Sequence, residues 1–275
     1  MKILYRRGGW ESAAEFEICR EVFGDENVTL SRMIPKNEVV IGRYSVLPHY
    51  QELVRDLDFN NCKLINSYQQ HKWIVDCDWI NDLKDYTFET FFDYNFHLSP
   101  EDRYIVKGKV NSRKEQWDTL MYAPNKIKAS EIAAELCHDP LINPQGIIYR
   151  RFHELEKFGE TERGTPIVNE WRIFILDGKI VSSGFYWKGF IELDNSVEKD
   201  FQRGGMIFVG RILNHLSDCV DSFSLPRFLV IDIAKDVHGK WWVVEVNDGQ
   251  MSGLQGNSTR LFYTRLRELV ESGSD

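Results

Sequence analysis

Cysteine is scarce in this 275-residue chain, and no spacing pairs it: Cys19, Cys62, Cys77, Cys137 and Cys219 are odd in number and contain no Cys-x-x-Cys. Such usage argues against a disulfide framework and against a thiolate zinc site. The seven histidines are dispersed, with no metal-ligand spacing. Long apolar runs are missing too. No stretch approaches a membrane span, and the opening Met1-Lys-Ile-Leu-Tyr-Arg-Arg lacks the apolar core of a secretory leader. The expectation is a cytoplasmic protein without a membrane partner. Basic excess is also absent: the net charge of −8 argues against bulk attraction to nucleic acid. Neither a Gly-x-Ser-x-Gly elbow, a Walker A loop nor a Rossmann glycine fingerprint occurs, so the familiar hydrolase and nucleotide signatures do not apply.

What is present is a soluble-type composition, 43% hydrophobic and 28% charged, in a chain long enough for one large domain or two smaller ones. Residues 1–60 predict an α/β unit. It has a strand at Lys2–Tyr5, a Gly8-Gly9 turn, a helix over Glu11–Phe23, strands at Val28–Met33 and Val39–Ile41, and a helix over Leu47–Leu57. A single helix over Tyr68–Leu83 leads into the rest. From about residue 100 strands alternate with helices in antiparallel pairs, which predicts α+β. The Asp177-Gly178 dipeptide between Asn169–Leu176 and Ile180–Trp187 is a strong hairpin signal.

The most informative stretch is Phe228–Gly249, two apolar runs around an Asp-Val-His-Gly turn. Acidic groups interrupt both runs. Alternation along a strand puts Glu245 and Asn247 on one face and Val244 and Val246 on the other, and pairing lets Asp232 join the polar face. Three oxygen donors on one wall suit Mg²⁺, which takes one or two carboxylates and completes its shell with water and phosphate oxygens. A hairpin with one solvated face is the competing explanation.

Other residues point the same way. Lys107 and Lys109 share a face of Tyr104–Val110, where a buried lysine needs an anion; an exposed edge strand would need none. Ile147–Glu156 begins as an apolar strand and ends in charge, with Arg150 and Arg151 on opposite faces; Glu154 and Glu156 are candidates to accept from ribose hydroxyls, and a strand exit with solvated charges is the competing and simpler explanation. Glu170, Arg172 and Phe174 share a face, and Arg172 is either a structural ion-pair partner or an anion binder. Trp187, Lys188, Arg203 and Gln250 are candidates for a second substrate's pocket.

In order, these pieces resemble the ATP-grasp superfamily, and its R2K clade in particular: the strand lysine, the Arg- and Glu-bearing strand exit, Asn169-Glu-Trp-Arg-Ile-Phe-Ile-Leu-Asp-Gly-Lys-Ile-Val181, Asp232-Ile-Ala, and Val243-Val-Glu-Val-Asn-Asp-Gly249. The resemblance covers residues 100–255 and is looser before them. It implies an α+β ATP-grasp fold over residues 99–275 behind a small α/β domain over 1–98. It also implies Mg²⁺ on Asp232, Glu245 and Asn247, and ATP phosphates on Lys107, with Lys109 as substitute. The adenine hinge would lie at Arg151-Phe152-His153, with ribose on Glu154 or Glu156. Arg172 would sit by the transferred phosphoryl group, and Arg150 or Arg151 would be a second arginine. The glycine-rich loop common after the lysine strand is replaced by Asn111-Ser-Arg-Lys-Glu-Gln116, which leaves Ser112 and Arg113 as candidates to cover the γ-phosphate. The implied activity is carboxylate–amine ligation through an acyl phosphate, on a small-molecule or peptide substrate. The alternatives are phosphotransfer to a hydroxyl and nucleotide binding without catalysis.

Overall fold

The computed structural model describes residues 1–6, 13–92 and 98–272. The expected Gly8-Gly9 turn and the first two residues of the first helix lie outside them. The N-terminal unit is a parallel sheet in the order β2-β1-β3-β4, from Lys2–Leu4 (β1), Val28–Thr29 (β2), Val39–Gly42 (β3) and Lys63–Leu64 (β4). The crossovers carry Ala13–Phe23 (α1) and Tyr50–Asp58 (α2), as parallel pairing requires. The strand expected over Val28–Met33 stops at Thr29, where the Thr29 hydroxyl and the Ser31 backbone form a local turn.

The single helix expected over Tyr68–Leu83 is two: Tyr68–Val75 (α3) and Asp78–Asp82 (α4). Cys77 between them has φ 65°, a left-handed conformation that a continuous helix excludes. Helix α3 begins with a capping box in which Ser67 and Gln70 satisfy each other's backbone N–H groups.

A second sheet, in the order β5-β8-β6-β7, is antiparallel: Thr90–Phe91 (β5), Tyr104–Gly108 (β6), Tyr122–Ala123 (β7) and Ile147–Arg151 (β8). Trp117–Leu120 (α5) precedes β7, and Lys126–Leu136 (α6) packs on this sheet, capped by Asn125. The hairpin of Lys157–Glu160 (β9) and Pro166–Val168 (β10) stands apart from the three four-stranded sheets.

The third sheet runs β12-β11-β13-β14, from Glu170–Leu176 (β11), Lys179–Phe185 (β12), Phe228–Lys235 (β13) and Trp241–Asp248 (β14). Both expected hairpins form. Asp177 and Gly178 have φ 47° and 74°, the pair of positive values a type I′ turn demands. One face of this sheet (Trp171, Ile173, Ile231, Ile233, Val243) packs on Met206–Cys219 (α8). That helix follows Asn195–Asp200 (α7) and a π-helical turn at Phe201–Gly205. Phe201 stacks on Trp171 at 3.8 Å and 3°, which fixes the turn against the sheet.

The other face is divided. Phe174, Phe228 and Val230 pack with Thr259–Ser272 (α9) and residues of α1 in one apolar cluster, while the charged residues lie toward the cleft. Two side chains of the N-terminal unit bind this region. Buried Arg43 donates to the carbonyls of Gly249, Gln250 and Ser252 at 2.9, 3.2 and 3.0 Å. Asn66 donates to the Phe228 carbonyl at 2.7 Å and accepts from its N–H at 2.9 Å.

Candidate functional site

Register builds the site. Arg172 lies opposite Asp232, and Asp232 opposite Glu245, so three charged side chains form one row across β11, β13 and β14. Asn247 lies two residues farther along the same face and donates to Glu245 Oε2 at 2.9 Å. The expected polar wall is therefore real.

Its alternation is not strict. Asp232 faces Glu245, whereas Ile233 faces Val243, which leaves Val244 as the extra residue of a bulge. Val243 and Val246 enter the core, while Val244 lines the cleft beside Glu245. The expectation that Val244 and Val246 share the far face fails for Val244 for that reason.

Each carboxylate already holds a cation. Arg172 donates to both oxygens of Asp232, at 2.8 and 2.7 Å, and to the Gly253 carbonyl at 2.9 Å. Burial works against the Arg172 charge, but Asp232 outweighs it and keeps the guanidinium ionised. Lys107, 8% exposed on β6 of the other sheet, donates to Glu245 Oε1. Burial would raise the Glu245 carboxyl; Lys107 and then Lys114 overcome it and hold it at about 2.

A cavity of about 550 Å³ opens between the two sheets, with Lys107 and, of this row, Glu245 on its wall. Its apolar wall includes Ile105, Met121, Phe152 and Val244, a surface fit for a flat aromatic ligand. Arg150 is 5% exposed on this wall. It donates to Thr87 Oγ1 at 2.7 Å, Thr90 Oγ1 at 3.2 Å and the Val244 carbonyl. No carboxylate pairs with it among the described residues, and burial lowers its guanidinium to about 10 even with Glu245 nearby. Arg151 turns outward, nearly half exposed, to Glu89 and Asp102 at 2.8 and 2.7 Å. Both arginines line the cavity, but only Arg150 is buried in its wall.

The strand exit lies at the cavity rim. Phe152, His153 and Glu154 line it, and the His153 ring is 3.0 Å from Asp236 of the β13–β14 turn. Glu156 instead accepts from Asn169 at 2.8 Å and is not on the cavity wall. Lys109 lies past the end of β6, its ammonium 6.0 Å from the Phe92 ring and away from the row. Arg113 is tied to Asp139, and Ser112 lines a second cavity. Lys188 and Arg203 are exposed, Gln250 is buried around Asp248, and Trp187 donates to Glu170 Oε2 at 3.1 Å.

Two residues went unforeseen. Lys114, in the six-residue segment that replaces a glycine-rich loop, donates to the Tyr186 hydroxyl at 3.1 Å and lies 3.9 Å from Glu170. Glu170 is buried, with Oε1 lacking a hydrogen-bond partner, and burial pushes its carboxyl up against the pull of Lys114. Nothing in the Asn111–Gln116 pattern marks Lys114; the Glu-x-Arg spacing in β11 would have marked Glu170.

The donor set fits a hard divalent ion carrying phosphates. Among the described residues no group of three His, Cys, Asp or Glu side chains gathers for a metal. Asp232, Glu245 and Asn247 thus supply two carboxylates and an amide, a partial shell that phosphate oxygens would complete.

Comparison with known proteins gives a consistent result. The sequence model of the ATP-grasp domain, R2K clade family 3, matches residues 97–269. Among solved structures, the D-cycloserine synthetase DcsG superposes with TM-score 0.60 at 12% identity, covering 98% of this chain and 99% of that one. The RimK domain protein ATP-grasp from Sphaerobacter thermophilus gives 0.53 at 10%, covering 98% and 100%. The ATP-grasp ligase PsnB, complexed with minimal precursor, Mg and ADP, gives 0.50 at 10%, covering 98% of each chain. No curated protein matches by sequence.

Proposed function

The chain belongs to the ATP-grasp R2K clade, family 3, and from that premise we propose that it joins a carboxylate to an amine using ATP. The observation that carries this reading is the row Arg172–Asp232–Glu245 met by Lys107 from the facing sheet, with Glu245 and Lys107 lining a cavity of about 550 Å³. We assign the nucleotide to residues 99–275, behind the unit over residues 1–98.

In this reading the base lies along the apolar wall at Phe152–Glu154, with Glu154 rather than Glu156 toward the ribose. Arg150, Lys107 and Lys114 bind the phosphates, and Arg172 orders Asp232 beside them. Asp232, Glu245 and Asn247 would hold Mg²⁺, which supplies charge neutralisation on the phosphates. A substrate carboxylate oxygen attacks the γ-phosphorus and ADP leaves, giving an acyl phosphate. An amine then attacks the carbonyl carbon and phosphate leaves. The protein's part is positioning and charge stabilisation; no protein nucleophile is required. Support for ligation over bare nucleotide binding is that Lys107, Lys114, Arg150 and Glu245 line the cavity while Asp232, Arg172 and Asn247 continue the charged row beside it. The substrate class is a small molecule or peptide, and the setting cytoplasmic. Among the described residues, no helix is long and apolar enough to cross a membrane.

The test is thermal shift with ADP, with and without Mg²⁺, followed by ADP and phosphate release against a panel of carboxylates and amines. A Mg²⁺-dependent shift and an amide product identified by mass are expected. A stable phosphorylated product without amide would sink the ligase assignment.

A further inference from the structure

A second cavity, also about 550 Å³, shares Lys114 and Glu245 with the first and is walled in part by the N-terminal unit. In the ligase reading the nucleotide fills the first cavity, and the attacking carboxylate must lie beside its γ-phosphate. The two shared side chains mark where the cavities meet, so the carboxylate approaches from the second.

One feature of that junction favours an anion. Lys114 donates to the Tyr186 hydroxyl oxygen at 3.1 Å. An ammonium can only donate, so the hydroxyl accepts that bond and keeps its own proton to give. No acceptor for that proton is found among the described residues. Tyr186 lines the second cavity and not the first, and the Arg172 guanidinium lies 4.9 Å from its ring centroid. A hydroxyl already holding an ammonium is a strengthened donor toward a carboxylate.

The rest of the wall says what the carboxylate is attached to. Leu47, Ile74, Val75, Leu141 and Met251 make much of it apolar. Its lysine and arginine side chains, among the described residues, are Lys114 and Arg172 alone, and Arg172 holds Asp232 with two bonds. Glu115 and Asp248 also line it, and the His71 ring lies against Asp248. A second carboxylate on the substrate would meet no free cation there and would lie near like charges, which makes its burial costly.

We infer that the carboxylate substrate is a monocarboxylic acid with an apolar body, held at one end by the Tyr186 hydroxyl beside Lys114 and packed at the other against Leu47, Ile74 and Met251. The inference rests on the ligase reading above. It gives the N-terminal unit a share in substrate choice, through Leu47, Ile74 and Val75.

The test supplies the full-length chain with Mg·ATP and hydroxylamine, and compares acids of similar size: pentanoate with glutarate, and leucine with glutamate. A carboxylate oxygen takes the γ-phosphoryl group as ADP leaves. The hydroxylamine nitrogen then attacks the carbonyl carbon, phosphate leaves with the electron pair and a proton, and a hydroxamate remains. In wild type, kcat/KM for ADP release should be about 10-fold higher for each apolar acid than for its partner. Equal use of the dicarboxylates, or a preference for them, would overturn the inference. Tyr186→Phe should raise KM for the preferred acid about 10-fold while Mg·ADP affinity by calorimetry stays within about twofold. An unchanged KM, or an equal loss of Mg·ADP affinity, counts against the assignment. Val75→Lys puts a cation on the apolar wall and should move the pentanoate-to-glutarate ratio about 10-fold toward glutarate; an unmoved ratio speaks against the wall. The comparison of acids needs wild type only, so it decides even if neither variant folds. Wild-type protein that binds Mg·ADP yet releases no ADP with hydroxylamine and these acids or the other common amino acids refutes the ligase reading, and this inference falls with it.

Discussion

Replacing Lys107 by Met tests the electrostatics of the site before any ligand is known. Met keeps the length and apolar stem of the lysine and deletes the charge that holds Glu245. That carboxyl sits at about 2 against an ordinary 4.5, which at about 1.36 kcal/mol per pKa unit is worth roughly 3 kcal/mol. Its side chain is only 15% exposed, so little of this is screened away. With Lys107 gone, burial opposes a charge that only Lys114 and the Asn247 amide still support, and the predicted loss at pH 7.5 is about 3 kcal/mol. For a chain of this size that is a fall of roughly 6–10 °C in Tm.

The sign with pH is fixed. The folded pKa lies below the unfolded one, so the wild-type contribution is present above 4.5 and is lost as pH falls toward about 2. The deficit of Lys107→Met relative to wild type should accordingly be smaller at pH 3.5 than at pH 7.5. Adding Glu245→Gln should restore most of the loss, because removing both members of a buried pair costs far less than removing one. Urea unfolding of wild type, both single variants and the double variant at the two pH values gives the coupling directly. A double variant no more stable than Lys107→Met, or a deficit that does not change with pH, would refute the reasoning.

Three further outcomes are expected. Glu245→Gln should stay folded but lose the Mg²⁺-dependent part of the ADP thermal shift, and Mn²⁺ binding followed by electron paramagnetic resonance with ADP present should weaken at least 10-fold. Arg150→Met should behave unlike Lys107→Met: its anion is not in the chain, so stability should change by only about 1 kcal/mol while Mg·ADP affinity by calorimetry falls about 30-fold, or roughly 2 kcal/mol. Gly256→Ala would place a Cβ 1.9 Å from the Phe185 carbonyl oxygen; backbone must move, and the melting temperature should drop by an amount equivalent to about 3 kcal/mol.

Much of the site was legible because strands obey a simple rule. Alternation alone placed Glu245 with Asn247 and Arg172 with Glu170, and the Asp177-Gly178 turn fixed the β11–β12 hairpin, while the long-range pairing of β11 with β13 that brings Arg172 beside Asp232 has no local signal. The Lys107 argument was half right: a buried strand lysine needs an anion, and before any phosphate arrives Glu245 provides it. Departures from periodicity hid the rest. One extra residue in β14 turned Val244 into the cleft, and a left-handed Cys77 divided a helix whose spacing looked continuous. Lys114 reaches the site from an irregular loop with no period to read.

The grip of Arg43 and Asn66 on the loop after β14 also limits how this protein could be recombined. Asn66 pairs with both backbone groups of Phe228 as a neighbouring strand would, and Arg43 engages three carbonyls around Gly249. Leaving such buried backbone groups unmatched costs about 1–3 kcal/mol each. A chimera carrying a foreign N-terminal unit would have to recreate the same donors at the same places, or lose the alignment of the loop whose Gly253 carbonyl anchors Arg172. The seam between the two parts therefore behaves as a matched pair of surfaces that must be inherited together, rather than as an interchangeable coupling.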